Sequence, residues 1–396
     1  MGEIVAAIGT SHSPYAFTRP PDEKPEEIDL SIEAMKELGR CLDESKPDVI
    51  IYIGNDHLET FSMTCMPTFA LIAGNYAHAE WAGREFKLPV HREMAEDLLE
   101  KLIGRGFDMA YSEDAVLGHS FAVPFEYLIG GRQIPIIPIF ANVYLPPLPS
   151  PQRCAALGKA IAEIVKGRSE RVAVVASGGM SHYPGTRKYH HPEFDFDRWL
   201  ITQFEAGNTD ALLNMTVQQL DEAGNTEMLA WSILFGAMGK HVGELIHYIP
   251  TWHHGLAYMR FLPARPHKNS AFEAAKKERG GLQFKDQGYA FYKHPPAHAY
   301  ELNRLLFDIR NDGTLREKVV DETNAVAETY KLGTAQKTAL RALVEVGEGK
   351  KLVSDYCEAL VDAGAHPLQA LMSLHAVNSL VHKKRKAQPP KAPGQN

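Results

Sequence analysis

Residues 1–263 alternate short, continuously apolar segments with amphipathic segments, and this alternation most constrains the fold. Residues 4–9 and 49–53 predict two buried strands, and residues 26–45 between them carry apolar side chains at helical spacing. Further strands are predicted at 69–73, 134–140, 172–176 and 245–249, and further helices at 91–105, 153–166, 195–206 and 224–239. Apolar strands separated by helices indicate an α/β domain with a central, mostly parallel sheet covered by helices.

The pattern changes after residue 263, where a polar segment over 264–295 predicts a linker. Residues 296–382 have helical spacing of apolar side chains, punctuated by glycines, and predict a small all-α domain. The remaining residues, 383–396, begin with four basic side chains and continue with several prolines. We expect a disordered basic tail there, and favour this interpretation over a nucleic-acid or localisation patch.

Composition excludes several classes of protein. With 396 residues and 44% apolar side chains, the chain can bury a large core and is not a disordered protein. The 42 basic and 49 acidic residues give a net charge of −7, so no nucleic-acid partner is expected. The four cysteines are scattered and no signal-peptide pattern is visible, which predicts a cytoplasmic protein. No apolar run reaches about 20 residues, so no membrane span is expected.

Three of the predicted strands are followed by a histidine. His12 follows the first strand, His57 the second and His182 the strand at 172–176, each among small or polar residues. A single histidine at a strand end is usually only a hydrogen-bonded loop residue. Ligands in open α/β sheets bind outside the carboxyl ends of the strands, so three such histidines favour one shared site.

A carboxylate is predicted to face the same interior. In helix 224–239, Glu227 continues an otherwise apolar stripe formed by Trp231, Leu234 and Met238. A carboxylate buried alone is costly, and a metal ion or another cation is the usual compensation. The alternative is a first-turn carboxylate stabilised by the helix dipole.

Two histidines and one carboxylate form the facial triad of non-haem Fe(II) oxygenases, although zinc accepts similar ligands. His119 opens a further predicted helix after an irregular loop and could line the same pocket. The pairs at 190–191 and 253–254 are interpreted as either structural or substrate-facing.

Five short motifs occur in a characteristic order along the chain: Thr10-Ser11-His12-Ser13-Pro14, Asn55-Asp56-His57, Leu117-Gly118-His119-Ser120, Gly178-Gly179-Met180-Ser181-His182 and Thr226-Glu227-Met228-Leu229-Ala230-Trp231. Together they resemble the class III extradiol ring-cleavage dioxygenases, the family of protocatechuate 4,5-dioxygenase. Residues 303–312 and 364–367 resemble the small α subunit of that enzyme. A β-like catalytic part fused to an α-like helical part is similar to the gallate dioxygenases.

The resemblance implies a role for each matching residue. His12, His57 and Glu227 would bind Fe(II), His182 would be the catalytic base, and His119 would be a second histidine near the dioxygen site. Asn55 and Asp56 are expected to shape the turn rather than to bind the metal.

The resemblance also implies a role for the helical domain, which covers the active site in related enzymes. The loop at 364–368 would then belong to a lid, with His366 a candidate substrate contact. Simple packing or dimerisation is the alternative for this domain, and a homodimer is expected in either case.

The implied reaction opens the ring of a small aromatic substrate with O2. A catecholic acid such as protocatechuate, gallate or an O-methylated gallate is the first expectation. An aminophenol or another substituted catechol is the main competitor, because no specific arginine or lysine presents itself for a substrate carboxylate. Two other classes stay open: a zinc hydrolase that activates water with the same triad, and a non-catalytic scaffold of the same fold.

Overall fold

The computed structural model describes residues 1–266, 272, 278–345 and 353–387. These residues fall into two compact units. The first comprises residues 1–61, 65–183 and 190–291, and the second comprises residues 62–64, 184–189 and 292 onward. Among the described helices, none combines the length and the apolar character that crossing a membrane would require.

The strands of the first unit are β1 (Glu3–Thr10), β2 (Val49–Asn55), β3 (Phe69–Ile72), β4 (Tyr76–Trp81), β5 (Arg84–Pro89), β6 (Ala110–Ser112), β7 (Val116–Leu117), β8 (Ile136–Ala141), β9 (Arg171–Ser177), β10 (Glu244–Pro250) and β11 (Gly255–Leu262). Its helices are α1 (Tyr15–Thr18), α2 (Pro25–Ser45), α3 (Arg92–Gly104), α4 (His119–Pro124), α5 (Pro151–Lys166), α6 (Phe194–Glu205), α7 (Asp210–Leu213), α8 (Val217–Glu222) and α9 (Met228–Met238). A short π-helical turn, Phe125–Ile129, follows α4.

Eight strands form the main sheet in the order β10-β11-β1-β9-β2-β8-β3-β6. The four central strands β1, β9, β2 and β8 are mutually parallel and buried along almost their whole length. Towards the edges, β11 pairs antiparallel with β1 and with β10, and β3 pairs antiparallel with β8. The predicted α/β class with a mostly parallel central sheet is confirmed.

Helices cover both faces of this sheet. On one face, a Cβ added at Gly9 of β1 would lie 2.5 Å from the Trp231 ring of α9, so this glycine admits the indole against the strand. On the opposite face, Tyr258 of β11 hydrogen-bonds Ser31 of α2. The core therefore lies on both sides of the parallel strands, which explains why these strands are apolar throughout rather than alternating.

Two segments differ from the prediction. Residues 74–90, for which no strand was predicted, contain the antiparallel hairpin β4–β5, which joins β7 in a separate three-stranded sheet. Its turn is Ala82-Gly83, both with positive φ, a conformation typical of two-residue hairpins. Strand β11 was also not predicted, although it pairs directly with β1.

In the second unit the described residues form the helices α10 (Tyr300–Asn311), α11 (Gly313–Asp321), α12 (Thr323–Thr329), α13 (Thr334–Val344), α14 (Val353–Asp362) and α15 (Pro367–Ala387). The apolar face of α10 is buried, with Leu302, Leu305 and Leu306 essentially inaccessible. Part of the predicted basic tail continues α15 to residue 387, and residues 388–396 lie outside the described part of the chain.

Candidate active site

The four central parallel strands end at the same edge of the sheet, and each is followed by a polar ring. His12 follows β1, His57 follows β2, Tyr144 follows β8 and His182 follows β9. The side chains of all four are buried, each exposing less than a tenth of its surface. Because the four strands are adjacent and parallel, their carboxyl ends lie side by side, and the four rings that follow them lie close together.

Glu227 lies at the centre of this group. Its Oε1 is 2.8 Å from His57 Nε2, and its Oε2 is 3.6 Å from His12 Nε2. The two Nε2 atoms are themselves 3.4 Å apart. Ligand atoms at right angles around an ion, each about 2.1 Å from it, would be about 3 Å apart. The three side chains therefore have the donor types and the close approach that a metal site needs.

His119 offers a second way to complete a metal site. One ring nitrogen each of His12, His57 and His119 lies within 4.8 Å of the others. The His119 ring centroid is 4.1 Å from that of His57 and 5.4 Å from that of His12. A metal ion could thus be held by the two strand-end histidines together with either Glu227 or His119.

His182 has a different environment from the other histidines. Its Nδ1 lies 2.8 Å from the Met180 carbonyl, which can only accept, so this nitrogen carries the proton. Its Nε2 lies 2.9 Å from the Tyr144 hydroxyl and 3.3 Å from Glu227 Oε1. The ring is stacked on His254, with centroids 3.9 Å apart. His182 therefore directs Nε2 toward the carboxylate.

The local backbone explains how Glu227 reaches the centre. The predicted helix over 224–239 in fact begins at Met228, with Glu227 as the residue immediately before it. The Gly179 N–H donates to Glu227 Oε2 and fixes the carboxylate. A Cβ at position 179 would lie 2.1 Å from His254 Nε2, so the close approach of these groups requires glycine.

Burial sets the charges in the site. It lowers the pKa of His12 well below the usual value and also lowers the pKa of His57. Burial by itself raises the pKa of Glu227, but the facing imidazoles, chiefly those of His12 and His182, hold it well below the usual range. Near neutral pH the group therefore combines imidazole lone pairs with a carboxylate anion, as a bound cation requires.

Several residues around the site were not singled out from the sequence. The Tyr144 hydroxyl donates to Glu227 Oε1 at 2.6 Å, and Ser177 Oγ lies 2.8 Å from His12 Nδ1. Glu59 Oε1 lies 2.8 Å from His119 Nδ1. Ligands in open α/β sheets bind outside the carboxyl ends of the strands, and this rule could have indicated Tyr144 and Ser177, because both follow predicted strands. No sequence signal indicates Glu59, since its contact is 60 residues away.

The remaining predicted residues have the following places. Asp56 accepts hydrogen bonds from the backbone N–H groups of residues 59, 60 and 61, as a turn-shaping residue does. His366 lies in the second unit, where it is buried and its ring stacks on Tyr292 at 5.7 Å. Its assignment as a substrate contact stays a prediction.

The fold and this cluster of buried histidines around a carboxylate agree with a family comparison. Residues 6–257, more than half of the chain, match the family described as the catalytic LigB subunit of aromatic ring-opening dioxygenase. The chain belongs to this family.

Individual relatives are similar over part of their length. A 2,3-dihydroxyphenylpropionate/2,3-dihydroxicinnamic acid 1,2-dioxygenase of Klebsiella pneumoniae subsp. pneumoniae is 33% identical over 176 residues, 44% of this chain and 55% of that protein. Its counterpart from Klebsiella pneumoniae strain 342 is 35% identical over 146 residues, 37% of this chain and 46% of that protein. The chain thus spans about half the length of the curated relatives it matches. Among solved structures, an uncharacterized Escherichia coli K12 protein has 14% identity and a TM-score of 0.48, over 65% of this chain and 99% of that one.

Proposed function

We propose that the protein is an Fe(II)-dependent extradiol dioxygenase that opens the ring of a catechol-type substrate with O2. The observation that carries the proposal is the buried Glu227 carboxylate, which lies 2.8 Å from His57 Nε2 and 3.6 Å from His12 Nε2. These two histidines and this carboxylate correspond to the facial triad typical of non-haem Fe(II) oxygenases. Membership in the ring-opening dioxygenase family supports the same reaction class.

His12, His57 and Glu227 would hold the metal. When bound, Fe(II) would bring the two diol oxygens and O2 together and let electron density pass between them. The protein fixes the ligands in advance, because Ser177 holds His12 by its Nδ1 and Gly179 holds the carboxylate. Such supporting contacts orient the ligands toward the ion.

His182 would remove a proton from the diol. The Met180 carbonyl keeps the proton of a neutral His182 on Nδ1, so Nε2 is the basic atom. That atom faces Glu227 and the Tyr144 hydroxyl, inside the ring of residues that would surround the substrate. A general base must lie within hydrogen-bond reach of the proton that it takes. Of the two nitrogens of the His182 imidazole, only Nε2 can take a proton, because Nδ1 already donates to the Met180 carbonyl.

His119 would contact the reacting oxygens through Nε2 from the other side of the group, and it would donate there when both of its ring nitrogens carry a proton. Its ring lies beside those of His57 and Trp81, with centroids 4.1 Å and 4.7 Å away. In the overall reaction a ring C–C bond next to the diol breaks and both atoms of O2 enter the product, so no external reductant is consumed.

For the substrate we propose a catecholic acid: protocatechuate, gallate or an O-methylated gallate. The relatives named for 2,3-dihydroxyphenylpropionate add a catechol with an acidic side chain to this group. An aminophenol is the competing substrate class, since it can chelate the metal through nitrogen and oxygen. We further propose that the enzyme works as a homodimer.

A substrate panel tests the proposal. Metal-free protein is loaded with Fe(II) without oxygen and then offered O2 with each catecholic acid, 2,3-dihydroxyphenylpropionate and 2-aminophenol. We expect one O2 consumed per molecule of one of these substrates, and both atoms of labelled ¹⁸O2 in a ring-opened product. Absence of oxygen uptake across the panel, with iron bound, would refute the proposal. A zinc hydrolase would instead act with Zn(II) and without O2.

A further inference from the structure

The Glu59 carboxylate holds His119 at two points. Its Oε1 lies 2.8 Å from the ring Nδ1, and its Oε2 accepts the backbone N–H of the same histidine at 3.1 Å. Both side chains are largely buried, Glu59 exposing 9% of its surface and His119 exposing 4%. The contact fixes both the first residue of α4 and the rotation of its ring.

The turn that presents Glu59 is itself held by a buried carboxylate. Asp56 accepts the backbone N–H groups of Glu59 at 2.9 Å, Thr60 at 3.1 Å and Phe61 at 2.8 Å. Opposite this turn, a Cβ at Gly118 would lie 1.5 Å from Glu59 Oε2. Only glycine leaves room for the carboxylate at that position, so the residue before His119 is adapted to this contact.

The chemistry of the contact selects one form of the imidazole. A carboxylate only accepts hydrogen bonds, so Nδ1 of His119 must donate, and in the neutral ring the lone pair lies on Nε2. The ring lies 4.1 Å from the His57 ring and 5.4 Å from the His12 ring. Glu59 therefore determines which nitrogen of His119 can act beside the metal ligands.

The partner of His119 differs from those of the two other histidines whose Nδ1 is held at 2.8 Å. His12 contacts the Ser177 hydroxyl and His182 contacts the Met180 carbonyl, both neutral groups. At equal distance, a hydrogen bond to a carboxylate is stronger than one between neutral groups. Of these three rings, His119 is thus the one whose Nδ1 has a carboxylate as its hydrogen-bond partner.

We propose that Glu59 is a positioning residue of the active site, which fixes the tautomer and the orientation of His119 for the ring-opening reaction. This inference rests on the proposed dioxygenase function, in which His119 acts on the reacting oxygens through Nε2. Glu59 does not itself touch the metal or the substrate and acts only through the imidazole. Partners of this kind typically change activity by about 10- to 100-fold when they are removed.

The test compares Glu59→Ala with Glu59→Gln, whose amide oxygen can still accept from Nδ1. Thr60→Val is the matched control in the same turn, because it removes the hydroxyl that bonds the Val116 carbonyl without touching His119. For Glu59→Ala we expect kcat to fall about 10- to 100-fold, with KM within about threefold of wild type. Glu59→Gln should recover much of this loss, and Thr60→Val should be unchanged.

Two readouts do not depend on turnover. In Zn(II)-loaded protein with ¹⁵N-labelled histidine, we expect His119 to be protonated at Nδ1 in wild type and to become a mixture of tautomers in Glu59→Ala. Co(II) affinity should stay within about threefold. A tautomer unchanged in Glu59→Ala, or a tenfold loss of Co(II) affinity that makes His119 a ligand, would overturn the inference. If wild type consumes no O2 on any substrate, the proposed function fails, while the tautomer measurement still judges the role of Glu59.

Discussion

His12 and His57 are 45 positions apart in the chain, yet their Nε2 atoms lie 3.4 Å from one another. Two N–H groups cannot point at each other over this distance, so at least one of these nitrogens presents a lone pair. Burial favours the neutral rings further, because it lowers the pKa of both. A cation can be bound by such nitrogen lone pairs together with the adjacent carboxylate, which is the physical basis of the proposed metal site.

The first prediction separates the ligands from the base. We expect His12→Ala to lose Fe(II), because Nε2 would be one of three protein ligands, whereas His182→Phe should keep the metal and lose turnover by at least about 100-fold. Metal content by atomic spectroscopy and kcat under anaerobic loading are the measurements. If both variants lost the metal equally, the distinction between ligand and base would be wrong.

The second prediction concerns Tyr144, whose hydroxyl lies 2.6 Å from Glu227 Oε1 and 2.9 Å from His182 Nε2. Tyr144→Phe leaves the ring in place and removes the hydroxyl from both partners. We expect kcat to fall by about tenfold and the free energy of unfolding to fall by about 1–2 kcal/mol, since two buried polar atoms lose a partner. Steady-state kinetics and urea denaturation measure these changes. Turnover equal to that of wild type would show that the contact has no part in the reaction.

The third prediction is a pH dependence of stability away from the site. The Arg168 guanidinium bonds both carboxylate oxygens of Glu170 and lowers the pKa of this group to about 2. Because the folded pKa is depressed, the ion pair stabilises the protein above the ordinary glutamate pKa and is lost as pH falls through about 2.

We therefore expect Glu170→Gln to lower the free energy of unfolding by about 1 kcal/mol at pH 7, a modest value because salt screens a pair near the surface. The difference from wild type should shrink as pH falls below about 4.5. Denaturant unfolding at a series of pH values measures it. A difference that is constant over the whole pH range would contradict the ionic origin of the effect.

The fourth prediction tests the packing that supports Glu227. A Cβ at Gly158 of α5 would lie 1.9 Å from the Ile233 carbonyl of α9, the helix that begins directly after Glu227. Gly158→Ala should push the helices apart and lower the free energy of unfolding by about 1–3 kcal/mol. Gly104→Ala is the control, because its added Cβ meets no atom within 4 Å, and it should change stability by less than about 0.5 kcal/mol. Equal stability of the two variants would show that the α5–α9 contact can relax.

The amino-acid pattern alone predicted the α/β class, because strands that are apolar throughout are typical of a sheet covered by helices on both faces. It also indicated the residues at the strand ends, since parallel strands deliver their carboxyl ends to one edge. The hairpin β4–β5 escaped prediction because its residues are half exposed and carry no continuous apolar run.

The groups that support the site could be identified only from the folded chain. The contacts of Glu59 with His119 and of Tyr144 with Glu227 join residues 60 and 83 positions apart, and no local pattern encodes such distances. The start of α9 was likewise misplaced: the helix begins one residue after Glu227, whose carboxylate accepts the Gly179 N–H, although Glu227 continues the apolar stripe in sequence. Strand order fixes where a side chain emerges, but the partner that orients it depends on how distant loops pack together.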